Sequence, residues 1–220
     1  MKFLDTLFGR TKPVQANLDS LFSLPSAAVT LESVAGMRPS GRAGVCFKPL
    51  AGEGFHEVED EATSLGGSSS SGNGVDGNSG GEGSDGSDPG ASSSKVSLHT
   101  VGDSYGYRWV VVDDADLEDL VTRVHMVNTT LAEAGYGPQL LCSVFGLANA
   151  SSTHSATDIE ESMSYIVYLY KRGTFYPFAP RPGQQRDNEM ELRLKAVLGQ
   201  DLKMEEDLDR WFPLWGLPVR

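Results

Sequence analysis

Residues 165–170, YIVYLY, alternate aromatic and aliphatic side chains, a pattern that suits a well-buried strand. Arg172-Gly173 reads as a two-residue hairpin loop, because Gly173 can take the positive φ that such loops demand. Residues 174–178 then return along the first strand. Pro177 has no backbone donor, so the return strand belongs at a sheet edge or ends there. Further upstream, Ala43, Val45 and Phe47 alternate with Gly44, Cys46 and Lys48, which predicts a strand over 41–49. Residues 95–101 and 105–112 form two more strands joined by Gly102-Asp103-Ser104, and the second carries the run WVVV, suited to a buried central position. Residues 140–147 are a further apolar strand.

The clearest helix follows Asp113, Asp114 and Asp116, which supply N-cap candidates and favour the positive end of the helix dipole. Leu117, Leu120, Val121, Val124, Val127 and Leu131 recur every three or four residues, and Gly135 stops the helix. A second helix, capped by Asp187 or Asn188, turns Met190, Leu194, Val197 and Leu198 to the core and ends at Gly199. A short one starts at Asn17, with Leu18, Leu21 and Phe22 on one face, and Pro25 interrupts it. Over 26–34, Val29 and Leu31 alternate as in a strand while the alanines favour helix, and the pattern does not choose. Residues 55–65 read as a weak surface helix. These elements predict one α+β domain over 1–220, a mostly antiparallel sheet with helices packed on one face.

Three stretches stand apart. Residues 66–94 are about two-thirds Gly and Ser, with four acidic residues and no basic one, the composition of a flexible insertion within the domain. At the start, Phe3, Leu4, Leu7 and Phe8 fall at helical spacing beside Lys2, Arg10 and Lys12. That pattern fits a small amphipathic foot for a partner helix or a membrane face, or else a helical turn packed on the core. At the end, 208–219 gathers Trp211, Phe212, Leu214, Trp215 and Leu217 in a run broken by Pro213, Gly216 and Pro218. So apolar a run either folds back over the core, the expected outcome, or exposes a docking patch.

The formal net charge of -12 repels phosphate backbones and anionic membrane faces at long range, so no nucleic-acid partner is expected and membrane contact is at most peripheral. Basic protein surfaces are favoured instead. Cys46 and Cys142, the two cysteines, lie far apart in sequence among apolar residues, which predicts buried reduced thiols in a cytoplasmic protein. His56, His99, His125 and His154 lack metal-ligand spacing. His125, with Asp113 and Asp119 upstream, is the one conceivable base, and a partly exposed helix histidine explains it as well. Capping explains Asp113, Asp114 and Asp116 without a divalent metal. No nucleophile elbow or phosphate-binding loop is present, so no catalytic, cofactor or metal residues are expected. Lys171, Arg172, Arg181 and Arg186 bracket the aromatic hairpin, either as a patch for an acidic segment or phosphate or as a solvated turn.

Seven segments carry a family likeness: FLDTLFGRTKP near the start, LFSLPSAAVTLE from Leu21, SGRAGVCFKPL from Ser40, DSYGYRWVVVDD from Asp103, YKRGTFYPFAPR from Tyr170, QRDNEMELRLKAVLG from Gln185 and RWFPLWGLPV from Arg210. Together they resemble the PspA-associated PspAB family from end to end, leaving out the Gly/Ser insertion. The resemblance brings no active site. It implies placement beside PspA, a coiled-coil membrane-stress protein, and therefore a protein-binding adaptor or modulator of envelope stress; in that role the apolar foot read from its spacing, Phe3, Leu4, Leu7 and Phe8, is the expected partner-binding set. The order of elements is also loosely similar to type III secretion chaperones and YbjN-like proteins, which implies a client binder that dimerises through its long helix.

Overall fold

A computed structural model of the chain describes residues 16–49, 97–149 and 163–219. The insertion over 66–94, the helix expected over 55–65, and Phe3, Leu4, Leu7 and Phe8 lie outside the described residues, as do His56 and His154.

The strands are β1 (Met37–Phe47), β2 (Ser97–Gly102), β3 (Arg108–Asp113), β4 (Leu140–Asn149), β5 (Ser164–Leu169) and β6 (Thr174–Phe178). They form one sheet in the order β2-β3-β1-β4-β5-β6 with every neighbouring pair antiparallel. The helices are α1 (Leu24–Thr30), α2 (Leu117–Leu131) and α3 (Asn188–Leu198). Between β6 and α3 a two-strand ribbon, β7 (Pro180–Arg181) with β8 (Gln185–Arg186), turns the chain.

Period-two alternation gives the sheet two apolar faces. Val45, Val110, Val112, Phe145, Ile166 and Phe175 point to one, where they pack against Leu24 and Leu31, Val121 and Val124, and Leu194 and Leu198. Cys46, Trp109, Val111, Cys142, Val144 and Tyr176 point to the other, where Trp211, Leu217 and Val219 cover them. The helices thus occupy one face, as the pattern predicts, and the folded-back C-terminal tail forms the opposite layer. Buried on both sides, WVVV sits inside the sheet between β1 and β2.

Several local expectations need correction. Pro25 does not end the first helix. A 3-10 turn, Leu18–Ser23, runs into α1 with Pro25 in its first turn, where the missing N–H has no intrahelical role, and a wide turn over Leu31–Ala35 completes it. The undecided stretch 26–34 is therefore helical. β1 begins at Met37, four residues before the expected start, and a register shift between Pro39 and Ala43 accommodates the proline. The hairpin loop spans four residues rather than two: Leu169 pairs with Thr174, and its carbonyl accepts from Arg172 N (3.1 Å) and Gly173 N (2.9 Å). Gly173 does take φ +64. β6 is an edge strand, as Pro177 requires, though residues 203–205 pair alongside it through Phe175.

Candidate functional site: an aromatic cleft beneath the C-terminal tail

Three of the apparent chemical features resolve into structure. Asp116 caps α2, accepting from Glu118 N (2.8 Å) and Asp119 N (3.0 Å). Asp114 is buried and pairs with Arg123 (2.9 Å), while Asp113 pairs with Arg42 (2.7 Å) and accepts from Ser97. His125 is half-buried against Phe22 (ring centroids 5.0 Å apart) with Asp19 at 3.8 Å. Among the described residues, no group of three or more His, Cys, Asp or Glu side chains is placed to hold a metal ion.

The three bracketing arginines are likewise engaged. Arg172 pairs with Glu205, Arg181 with Asp187, and Arg186 with Glu191 (2.9 Å) as well as the Trp211 carbonyl. Glu205 is buried and also accepts from Thr174 Oγ1 (2.8 Å) and Asp207 N (3.1 Å). The Arg172 guanidinium, with these donors behind it, holds the Glu205 carboxyl down at about 2 against the cost of its burial. Arg172 thus fastens residue 205 to the hairpin turn and Arg186 ties the ribbon to the tail at Trp211, while Arg181 pairs locally with the α3 cap.

The concavity lies on the sheet's second face. A cavity of about 490 Å³ opens between the β2–β3 loop, the sheet floor and the tail. Its walls are Tyr105, Tyr107, Trp109, Tyr176, Phe212 and Trp215, with Asp103 on one side and Cys46 and Cys142 at the floor. The β2–β3 loop is built on Asp103. Its Oδ1 accepts from Tyr105 N and Tyr107 N, both at 2.9 Å, and its Oδ2 accepts from Trp109 Nε1 at 2.9 Å. One carboxylate therefore fixes the turn and aims the tyrosines. The tail is anchored opposite by Tyr176, whose hydroxyl donates to the Phe212 carbonyl (2.8 Å) and whose ring stacks on Trp211. Burial pushes the Tyr176 hydroxyl well above its ordinary range, so it stays a donor.

At the floor, Cys46 on β1 and Cys142 on β4 are direct cross-strand partners, both buried and both free. Remote in sequence, they share a thiol–thiol hydrogen bond. That bond, then burial, pushes the Cys46 thiol far above its ordinary value, so it stays protonated and a poor nucleophile.

The N-terminal residues expected to bind a partner, Phe3, Leu4, Leu7 and Phe8, lie outside the described residues. The cleft itself was not anticipated. Its trace in the sequence is DSYGYRW, where two tyrosines flank a glycine in a hairpin loop and have no core-facing register to fill.

A family model described as PspAB, PspA associated protein B, matches residues 1–79 and 87–219. The chain belongs to that family. The matched span takes in the N-terminal apolar residues, every wall of the cleft and the C-terminal tail, and the break at 80–86 falls within the Gly/Ser-rich stretch. Membership supports association with a PspA system. No curated protein and no solved structure matches the chain, so the likeness to secretion chaperones rests on the order of elements alone. Among the described residues, no helix is long and apolar enough to cross a membrane.

Proposed function

We propose that this member of the PspA-associated family is a non-enzymatic protein-binding adaptor or modulator in a PspA-type envelope stress response. It meets a coiled-coil PspA-type partner from the cytoplasmic side, at or near the inner face of the membrane. The observation that carries the reading is the family match over nearly the whole chain, including its first residues. The net charge of -12 supplies long-range attraction to basic stretches of a partner, and the Phe3, Leu4, Leu7 and Phe8 foot supplies the short-range apolar anchor. A homodimer through the long helix has less to recommend it, because Leu120, Val121, Val124, Val127 and Leu131 of α2 are spent on the sheet.

The test is binding of the purified full chain to a purified PspA-type coiled coil, compared with a variant lacking residues 1–11. Salt should weaken binding mainly through the association rate, and loss of the foot should raise the dissociation rate. Unchanged binding by the shortened chain removes the foot from the mechanism. Absence of binding by either folded protein overturns the adaptor reading.

A further inference from the structure

We propose that the cleft between the β2–β3 loop and the C-terminal tail is a binding site for a small organic cation, an ammonium or guanidinium group on a short apolar stem. Its volume, about 490 Å³, falls within the range of roughly 300–1,000 Å³ typical of small-ligand sites. The chemistry of the walls selects the ligand. Aromatic faces carry negative quadrupole potential and attract cations. Among the described residues, the one charged side chain lining the cavity is Asp103. Among the described residues it accepts from three neutral N–H groups and has no ion-pair partner, so its position is fixed while its charge is left uncompensated. An anion would meet that carboxylate with no basic residue, among those described, lining the cavity to offset it. A neutral apolar ligand would bury the same charge without compensation.

Two further observations point the same way. Tyr105, Tyr107 and Phe212 are 57%, 38% and 55% exposed, so three large aromatic rings converge on one mouth where the fold does not need them buried. The same sheet face already receives cations on its aromatic rings, Arg186 over Phe178 at 5.7 Å and Lys195 over Trp211 at 5.9 Å. This site is independent of the adaptor reading, since its residues and those of the foot are separate.

The experiment titrates the full chain with choline and with methylguanidine at constant ionic strength, following the indole N–H resonances by NMR. The control is 3,3-dimethylbutan-1-ol, which has the shape of choline without its charge. At least one cation should bind saturably and move the Trp109 indole signal, and the neutral control should bind roughly fivefold more weakly or not at all. Asp103→Asn should weaken cation binding roughly tenfold and leave the control unchanged. Because that substitution also touches the loop, Phe212→Ala is the second variant. It removes an exposed ring but keeps the carbonyl that Tyr176 uses, and should weaken the cation several-fold with unaltered thermal unfolding. Equal affinity for cation and control, binding that leaves the Trp109 signal in place, or undiminished affinity in Phe212→Ala would each overturn the proposal. So would failure of both free cations at concentrations where an arginine-bearing peptide binds, which would assign the cleft to a partner's side chain.

Discussion

Glu205 accepts two hydrogen bonds from the Arg172 guanidinium, joining the turn between β5 and β6 to the segment that leads into the C-terminal tail. The carboxylate is buried, and its hydrogen bonds, foremost those from Arg172, lower its pKa from 4.5 to about 2. A carboxylate depressed in the folded state contributes stability that is fully present above its unfolded pKa and disappears as pH falls toward its folded one. Glu205→Gln should therefore cost about 2 kcal/mol at neutral pH, the scale of hydrogen bonds to a charged group. The difference from the parent should shrink between about pH 4.5 and about pH 2. Urea unfolding of both proteins across that range checks it, and a constant difference would contradict the linkage.

Gly173, in the same loop, holds φ +64, and a Cβ there would stand 3.3 Å from the Asn17 Cβ. A β-branched side chain resists that backbone region, so Gly173→Val should destabilise the fold by about 1–3 kcal/mol. Gly173→Asn, which tolerates left-handed geometry, should cost less. Thermal unfolding of the two variants gives the order directly.

Where an element's burial shows in its own local pattern, the sequence was legible. The apolar stripe of α2, the edge position forced by Pro177, the buried WVVV and the folded-back tail all follow from periodicity and donor count. What failed depended on partners that only the tertiary fold supplies. Cys46 and Cys142 become neighbours only through the β1–β4 register, which no local pattern announces. The helix α3 was given Met190, Leu194, Val197 and Leu198 as its core face, but Glu191, Leu194 and Leu198 are its buried residues and Met190 and Val197 are half-buried. The spacing 191, 194, 198 is helical, but a glutamate gives no apolar signal, and its partner, Arg186, belongs to the ribbon before the helix. The cleft was missed for a related reason: its lining comes from the β2–β3 loop, five strands and the tail.

That buried Glu191 leads to a third expectation. It accepts from Ala179 N (2.9 Å) and from Arg186 Nε (3.0 Å), while Arg186 also donates to the Trp211 carbonyl. Arg186→Met would leave the carboxylate buried without its cation and release Trp211. The loss should be about 3–5 kcal/mol. Replacing both, with Glu191→Leu added, should recover part of it, because an apolar pair avoids the desolvation cost. Denaturant midpoints for the single and double variants provide the test, and a double variant no better than Arg186→Met would refute the account.

The two thiols at the cleft floor should be inert in the native protein. Cys46 is held protonated by its hydrogen bond to Cys142 and by burial, and thiolate is the reacting form. Ellman's reagent at pH 8 should label the native chain roughly a hundredfold more slowly than the unfolded chain. Fast stoichiometric labelling of the native state would show that the floor opens readily.

The last expectation concerns how closely the tail is seated. Gly44 lies opposite Val111 on β3 and Val144 on β4, at the centre of the second face. A Cβ at Gly44 would come within 2.7 Å of Val219 Cγ2 and 3.2 Å of Trp109 Cε3. Trp109 is fixed from behind by its bond to Asp103 and by burial, so it has little room to yield. Val219, fully buried near the chain end, is the part that would move. Gly44→Ala should therefore cost about 1–3 kcal/mol, the usual penalty for overpacking, and should expend it by lifting the tail. Shortening Val219 in the same chain, Gly44→Ala with Val219→Ala, removes the clashing methyls and should restore much of the loss, although each substitution alone destabilises. Thermal unfolding of the four proteins forms a double-mutant cycle. A coupling energy near zero would mean that the tail does not rest on Gly44 and that the second layer is held by its aromatic anchors alone.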